Sequence, residues 1–152
     1  MKLDKFYTKP EIAKQCVDFL QKKLPLSGTE RYLEPSAGAG AFLSYLPNNT
    51  IALDIKPESS RIQQQDFFSY NTSCDVCIGN PPFGSRSATA INFFNHAAEL
   101  CSIIAFILLL NTLIFLLNIF ASISVFSALS KASLTIRLAF FLASSIINCA
   151  SL

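Results

Sequence analysis

The sequence predicts an α/β fold: a mainly parallel sheet with helices on both faces. Two observations point to it. Candidate strands and helices alternate along the chain up to about residue 108. The strands are short apolar runs, the pattern of a sheet buried on both sides. The chain has 152 residues and no internal repeat, enough for one domain with its own core.

Residues 10–23, PEIAKQCVDFLQKK, place Ile12, Ala13, Cys16, Val17, Phe19 and Leu20 at helical spacing, with Pro10 suited to the first turn. Pro25 and Gly28 punctuate a loop. Residues 31–34, RYLE, form a short strand stopped by Pro35; SAGAGAF follows, and 41–46 read as a short helix ended by PNN. Residues 51–54, IALD, are a second strand closed by an acid, and 61–65 a third that ends at Asp66. The strand at 75–79, DVCIG, runs into NPPF. A helix over 88–100 then leads to SIIAFIL, whose β-branched and aromatic content predicts a buried strand.

Net charge is only +2, so no broad basic field marks a nucleic-acid binder, and any such binding needs a local site. Five cysteines, an odd number, argue against a disulfide framework and for reduced thiols in a cytoplasmic setting. The N-terminus, MKLDKFYTKPEIAKQC, is polar and has no signal-peptide apolar core. All ten acidic residues lie between Asp4 and Glu99, and no charge occurs from Leu100 to Ser130. The chain thus divides into a balanced segment, 1–108, and an apolar tail, 109–152, uncharged but for Lys131 and Arg137.

Three motifs carry chemistry. In EPSAGAGAF, Gly38 and Gly40 can take backbone angles closed to other residues and let a ligand approach the main chain. Leu43 stands where G-x-G-x-x-G would place its third glycine, which disfavours a dinucleotide site. A plain tight turn is the structural alternative. Asp54, followed by Ile55, ends the second strand 14 positions after Gly40, where an acid can accept both hydroxyls of a ribose; a solvated strand-end Asp is the bland reading. Asp66 could accept from an adenine amino group while Phe67 or Phe68 packs on a ring, or it could simply cap a turn. In NPPF, the Asn80 side-chain carbonyl and the Pro81 backbone carbonyl can together accept from a planar –NH2. Pro81 and Pro82 stiffen the backbone, and Phe83 offers a face for a flat ring. A proline-rich turn is the alternative there.

Taken in order, these motifs resemble the S-adenosylmethionine-dependent DNA adenine-N6 methyltransferases in which the cofactor motif precedes the catalytic one. Residues 34–42 (Glu34, Pro35, Ser36, Ala37, Gly38 and Gly40 among them) resemble the cofactor loop. Asp54 and Ile55, then Asp66 and Phe67, match the ribose and adenine positions. Asn80, Pro81, Pro82 and Phe83 match the catalytic (D/N/S)-PP-(Y/F/W) motif. FYTKP, with Phe6, Tyr7 and Thr8, resembles the segment that closes over the methionine end of the cofactor. The likeness covers about residues 5–108.

It implies a Rossmann-like class I methyltransferase fold, incomplete at its C-terminal end, with S-adenosyl-L-methionine as cofactor and a DNA adenine turned out of the duplex as substrate. In that mechanism N6 attacks the sulfonium methyl in line while Asn80 and Pro81 accept its hydrogens and Phe83 stacks on the base. The same motif chemistry suits a protein glutamine amide or an RNA base amine. A degenerate product that binds without turnover, or a membrane-associated one, is the rival from another class.

Cys74-x-x-Cys77 lacks two further ligands at suitable spacing, so no metal is expected, and His96 reads as helix surface or packing. The tail carries no motif, proline or glycine. The 31-residue uncharged run from Leu100 to Ser130, which leads into it, is long enough to span a membrane. It also suits buried helices, or a frame-shifted gene that has lost the last strands and any DNA-reading region; a separate recognition subunit, as in some restriction-modification systems, would then be needed. The frame-shift reading is preferred because the change in composition is abrupt and falls inside the fifth strand.

Overall fold

The computed structural model describes residues 7–84, 88–108, 137–138 and 141–142, the last four by their backbone alone. Five parallel strands lie in the order β3-β2-β1-β4-β5: β1 Tyr32–Glu34, β2 Ile51–Asp54, β3 Gln63–Gln64, β4 Cys74–Gly79 and β5 Cys101–Leu108. Two short strands, β6 Arg137–Leu138 and β7 Phe141–Leu142, pair in parallel with β5. Helix α1 spans Pro10–Lys23 and α2 spans Ala88–Leu100, both as the periodicity predicts.

The register alternates as a sheet covered on both faces requires. On one face Val76, Ile78 and Ile107 pack with Ala13, Val17 and Leu20 of α1. On the other, Leu33, Cys77 and Ile104 pack with Phe93, Phe94 and Ala97 of α2. Leu33, Leu53, Ile78 and Ile104 are almost wholly buried, each contributing about 1.5–3 kcal/mol by removal from water.

Cys74 and Cys77 break simple alternation, since both join the α2-side cluster although they are three apart. At the start of β4 the N–H groups of Asp75 and Val76 both donate to the Arg31 carbonyl, at 2.9 and 3.2 Å. Asp75 also takes the Arg31 N–H, at 2.7 Å, and that bond leads the causes holding its carboxyl below its usual range.

One expected element is absent. Residues 41–46 form no helix but successive turns, with Leu43 N–H donating to Gly40 O at 3.1 Å and Tyr45 N–H to Phe42 O at 2.9 Å. Six residues between Gly40, held at φ +85°, and Pro47 are too few to repay helix nucleation. Burial of Phe42, Leu43 and Leu46 holds the turns instead. The third strand is also shorter than expected, Gln63–Gln64 rather than 61–65.

Among the described residues no helix is long and apolar enough to cross a membrane. Apart from β6 and β7, residues 109–152 lie outside the described residues, and with them the membrane, buried-helix and frame-shift readings.

Candidate active site

The order β3-β2-β1-β4-β5 reverses direction between β1 and β4, and in open α/β sheets ligands bind beyond the carboxyl ends of the strands at such a point. Here β1 ends at Glu34, beside the Gly-rich turn, and β4 ends at Gly79, directly before Asn80. A cavity of about 320 Å³ opens at this place. Tyr7, Thr8, Glu34, Ser36, Ala37, Gly38, Gly40 and Asn80 all line it. Residues scattered over three sequence motifs therefore meet.

The turn is built from backbone hydrogen bonds that its glycines make possible. Gly38 and Gly40 stand at φ +55° and +85°. The Ala37 N–H donates to Leu53 O at 2.9 Å and the Gly38 N–H to Asp54 Oδ2 at 2.8 Å, tying the turn to the end of β2. Asp54 Oδ1 accepts the Lys56 N–H at 2.7 Å. Each carboxylate oxygen keeps a further lone pair for a ligand hydroxyl.

Glu34 is the one buried acidic side chain among the described residues, 2% exposed. Its Oε2 has no hydrogen-bond partner among them. Burial, and then the nearby Asp54 charge, push its carboxyl up to about 8. A buried carboxyl with an unsatisfied oxygen on a cavity wall suits a cationic group of a ligand.

Asn80 is fixed from two sides. Its Nδ2 donates to Thr8 Oγ1 at 3.2 Å, and its backbone carbonyl accepts from Ser36 Oγ at 3.2 Å. Pro81 behind it is buried. Residues 7–9, which lead into α1, are tied across the site as well: Tyr7 OH donates to Glu58 Oε1 at 2.6 Å, and the Glu58 N–H to Gly38 O at 3.1 Å. Sequence reading missed Glu58, because its role depends on a partner 51 positions away. It also missed Ser44, which lines the cavity from within the turns mistaken for a helix.

The remaining expected site residues lie elsewhere. Pro35, Ile55, Pro82 and Asp54 do not line the cavity; Ile55 is half exposed just after β2. Asp66 caps a 3-10 turn over Phe67–Ser69, accepting the Phe68 N–H at 3.0 Å. Phe67 is not available to a ligand ring: it is buried in the α2-side core, 5.0 Å from Phe93 and edge-on to His96 at 4.7 Å. Its neighbour Phe68 is the exposed ring of the pair. Phe83, expected as an exposed aromatic, is half-buried and packs against the same core. Phe6 lies outside the described residues.

His96 has a packing role. Its Nε2–H donates to the Tyr70 carbonyl at 2.9 Å, holding α2 to the loop before β4. Cys16, Cys74, Cys77 and Cys101 are buried thiols, and among the described residues no cluster of His, Cys, Asp or Glu could hold a metal ion.

Comparison with known proteins agrees with this architecture. No protein-family model and no curated protein matches the chain. Among solved structures, the chain is similar to a Pyrococcus horikoshii protein provisionally assigned as an RNA methyltransferase, with a TM-score of 0.56 at 20% identity. The match covers 67% of this chain and 61% of that one, so this chain spans about three fifths of its neighbour's length. The fold is Rossmann-like, of the methyltransferase kind. At that identity the likeness speaks for the fold, and the chemistry rests on the site.

Proposed function

We propose that this chain transfers a methyl group from S-adenosyl-L-methionine to an exocyclic amine, adenine N6 of DNA. One observation carries the reading: Asn80 of NPPF and the Gly38–Gly40 turn, 40 or more positions apart, line the same cavity at the switch point of the sheet. The residues present fit the cofactor. Glu34 would meet a cationic group of its methionine end, the Gly38–Gly40 turn would let it approach the main chain, and Asp54 with Ile55 would hold ribose and adenine. When bound, the cofactor supplies a methyl on a sulfonium, open to direct displacement.

The protein's own task is then to bind and orient. Asn80 Oδ1 and the Pro81 carbonyl accept the two hydrogens of the target amine, which turns its lone pair out of conjugation with the ring. Two consecutive prolines keep these acceptors from drifting. The uncovered part of Phe83 supports a base turned out of the duplex. Desolvated, prearranged acceptors are worth far more than the same groups in water.

The test is direct. Calorimetry should show binding of S-adenosyl-L-methionine, and methyl transfer should be assayed on DNA, RNA and protein in parallel. Asn80→Ala should lower turnover on DNA by about a hundredfold or more while cofactor affinity changes little. No cofactor binding by the wild type would defeat the reading. Binding without transfer to any substrate would identify a degenerate chain, and transfer to RNA or protein alone would move the substrate but keep the chemistry.

We propose further that residues 109–152 are a separate segment produced by a shifted reading frame. Read in another frame past codon 107, the gene should encode a charged continuation; early stops in the other frames would end that idea.

A further inference from the structure

Residues 7–9 reach the site as an extended lead into α1. Lys9 is extended, at φ −65° and ψ 141°, Pro10 opens the helix, and the Lys9 carbonyl accepts the Ile12 and Ala13 N–H groups at 3.0 and 3.1 Å. The helix is itself held down by Ala13, Val17 and Leu20 in the core. Thr8 is therefore carried by a rigid element, and its hydroxyl meets Asn80 Nδ2 across 72 residues of chain.

That contact has a chemical consequence. A primary amide has a donor end and an acceptor end of nearly the same shape, and rotation about its last torsion exchanges them. An Asn80 turned the wrong way would present N–H groups to an amine that needs an acceptor. Thr8 Oγ1 takes an amide hydrogen and so holds the group by its Nδ2 end, with Oδ1 at the opposite end.

We infer that Thr8 is a positioning residue for the reaction, acting through the orientation of the Asn80 amide rather than only by covering the cofactor. The inference rests on the methyl-transfer reading above. Thr8→Val keeps the branched shape and removes the hydrogen-bonding oxygen; Thr8→Ser keeps the oxygen.

The experiment compares both variants with the wild-type full chain, measuring kcat for methyl transfer at saturating S-adenosyl-L-methionine, its Kd by calorimetry, and the Asn80 side-chain amide resonances by ¹⁵N NMR. Thr8→Val should lower kcat by about tenfold or more with Kd changed by less than about threefold, and Thr8→Ser should restore most of the loss. The Asn80 amide signals should shift in Thr8→Val and return in Thr8→Ser. An unchanged or raised kcat in Thr8→Val, a Kd that weakens in step with kcat, or no rescue by Thr8→Ser would overturn the inference. If the wild type transfers no methyl group, the functional reading fails separately. The positioning claim then stands or falls on the NMR alone, and Asn80 signals indifferent to Thr8→Val would overturn it.

Discussion

The backbone N–H of Gly38 donates to Asp54 Oδ2 at 2.8 Å, so the acid that ends β2 also holds the Gly-rich turn after β1. With Lys56 N–H on the other oxygen at 2.7 Å, one carboxylate fixes two loops on either side of the site.

Asp54→Asn should therefore do two things at once. The amide keeps the shape but turns one of two acceptors into a donor, which faces an N–H and loses that bond. The cost should be about 1.5–3 kcal/mol in urea unfolding, the range for hydrogen bonds to a charged group. Affinity for S-adenosyl-L-methionine should fall by about tenfold or more. A variant of full stability that only binds less tightly would mean that Asp54 serves the ligand and does not hold the turn.

Glu34 gives a pH dependence whose sign follows from its burial. Its carboxyl is pushed up to about 8, against 4.5 in an exposed chain. The native state thus holds a proton that the unfolded chain has given up. Stability from this group is fully present below about 4.5 and is lost as pH rises toward and through 8. Wild-type protein should be measurably less stable to urea at pH 9 than at pH 5. Glu34→Gln, neutral at both, should lose most of that difference. An equal fall in both proteins would place the titrating group elsewhere. A cationic ligand reverses the balance: binding of S-adenosyl-L-methionine near pH 7 should release a proton, read as a dependence of the calorimetric heat on buffer ionisation enthalpy.

Much of this architecture could be read from the residues. The apolar spacing of Ile12 to Leu20, with Pro10 before it, marks α1 because helix and core demand the same period. IALD marks β2 because a short apolar run that stops at an acid has few other uses. The site was legible where chemistry is local, as in Asn-Pro-Pro, whose backbone stiffness needs no partner. It was not legible where a residue's role is decided by what lies across from it. Phe67 and Phe68 are the same residue type one position apart, and only the docking of α2 sends one inward. The turns at 41–46 have helix-like composition, yet tertiary burial of Phe42 and Leu46 wins over a propensity too weak to nucleate a helix.

Gly84, just after NPPF, is a position where the backbone leaves no choice. Its φ is +65°, and a Cβ there would lie 2.0 Å from Thr89 Oγ1 and 2.8 Å from Thr89 Cβ at the start of α2. Gly84→Ala should cost about 1–3 kcal/mol from backbone strain, with the clash in addition. Adding Thr89→Ala removes Oγ1, the nearest atom struck, and leaves Cβ, so the double variant should recover part of the clash component and none of the strain. Urea midpoints of the four proteins in that cycle decide it, and additive effects would show that Thr89 is not what Gly84 avoids.

The phenylalanine pair separates packing from binding most cleanly. Phe67 is 1% exposed and in ring contact with Phe93 and His96, so Phe67→Ala removes a core side chain and should cost about 3–5 kcal/mol. Phe68 is 44% exposed and touches Phe93 edge-on at 5.1 Å. Phe68→Ala should cost at most about 1 kcal/mol of stability. If its ring packs on the adenine of the cofactor, as its place beside Asp66 suggests, affinity for S-adenosyl-L-methionine should fall by about 1–3 kcal/mol, the worth of an aromatic stack. Calorimetry on Phe68→Ala against wild type reads this directly. Unchanged affinity would remove Phe68 from the adenine site and leave Ile55 as the apolar contact to test next, because it is the other large exposed apolar side chain at the ends of β2 and β3.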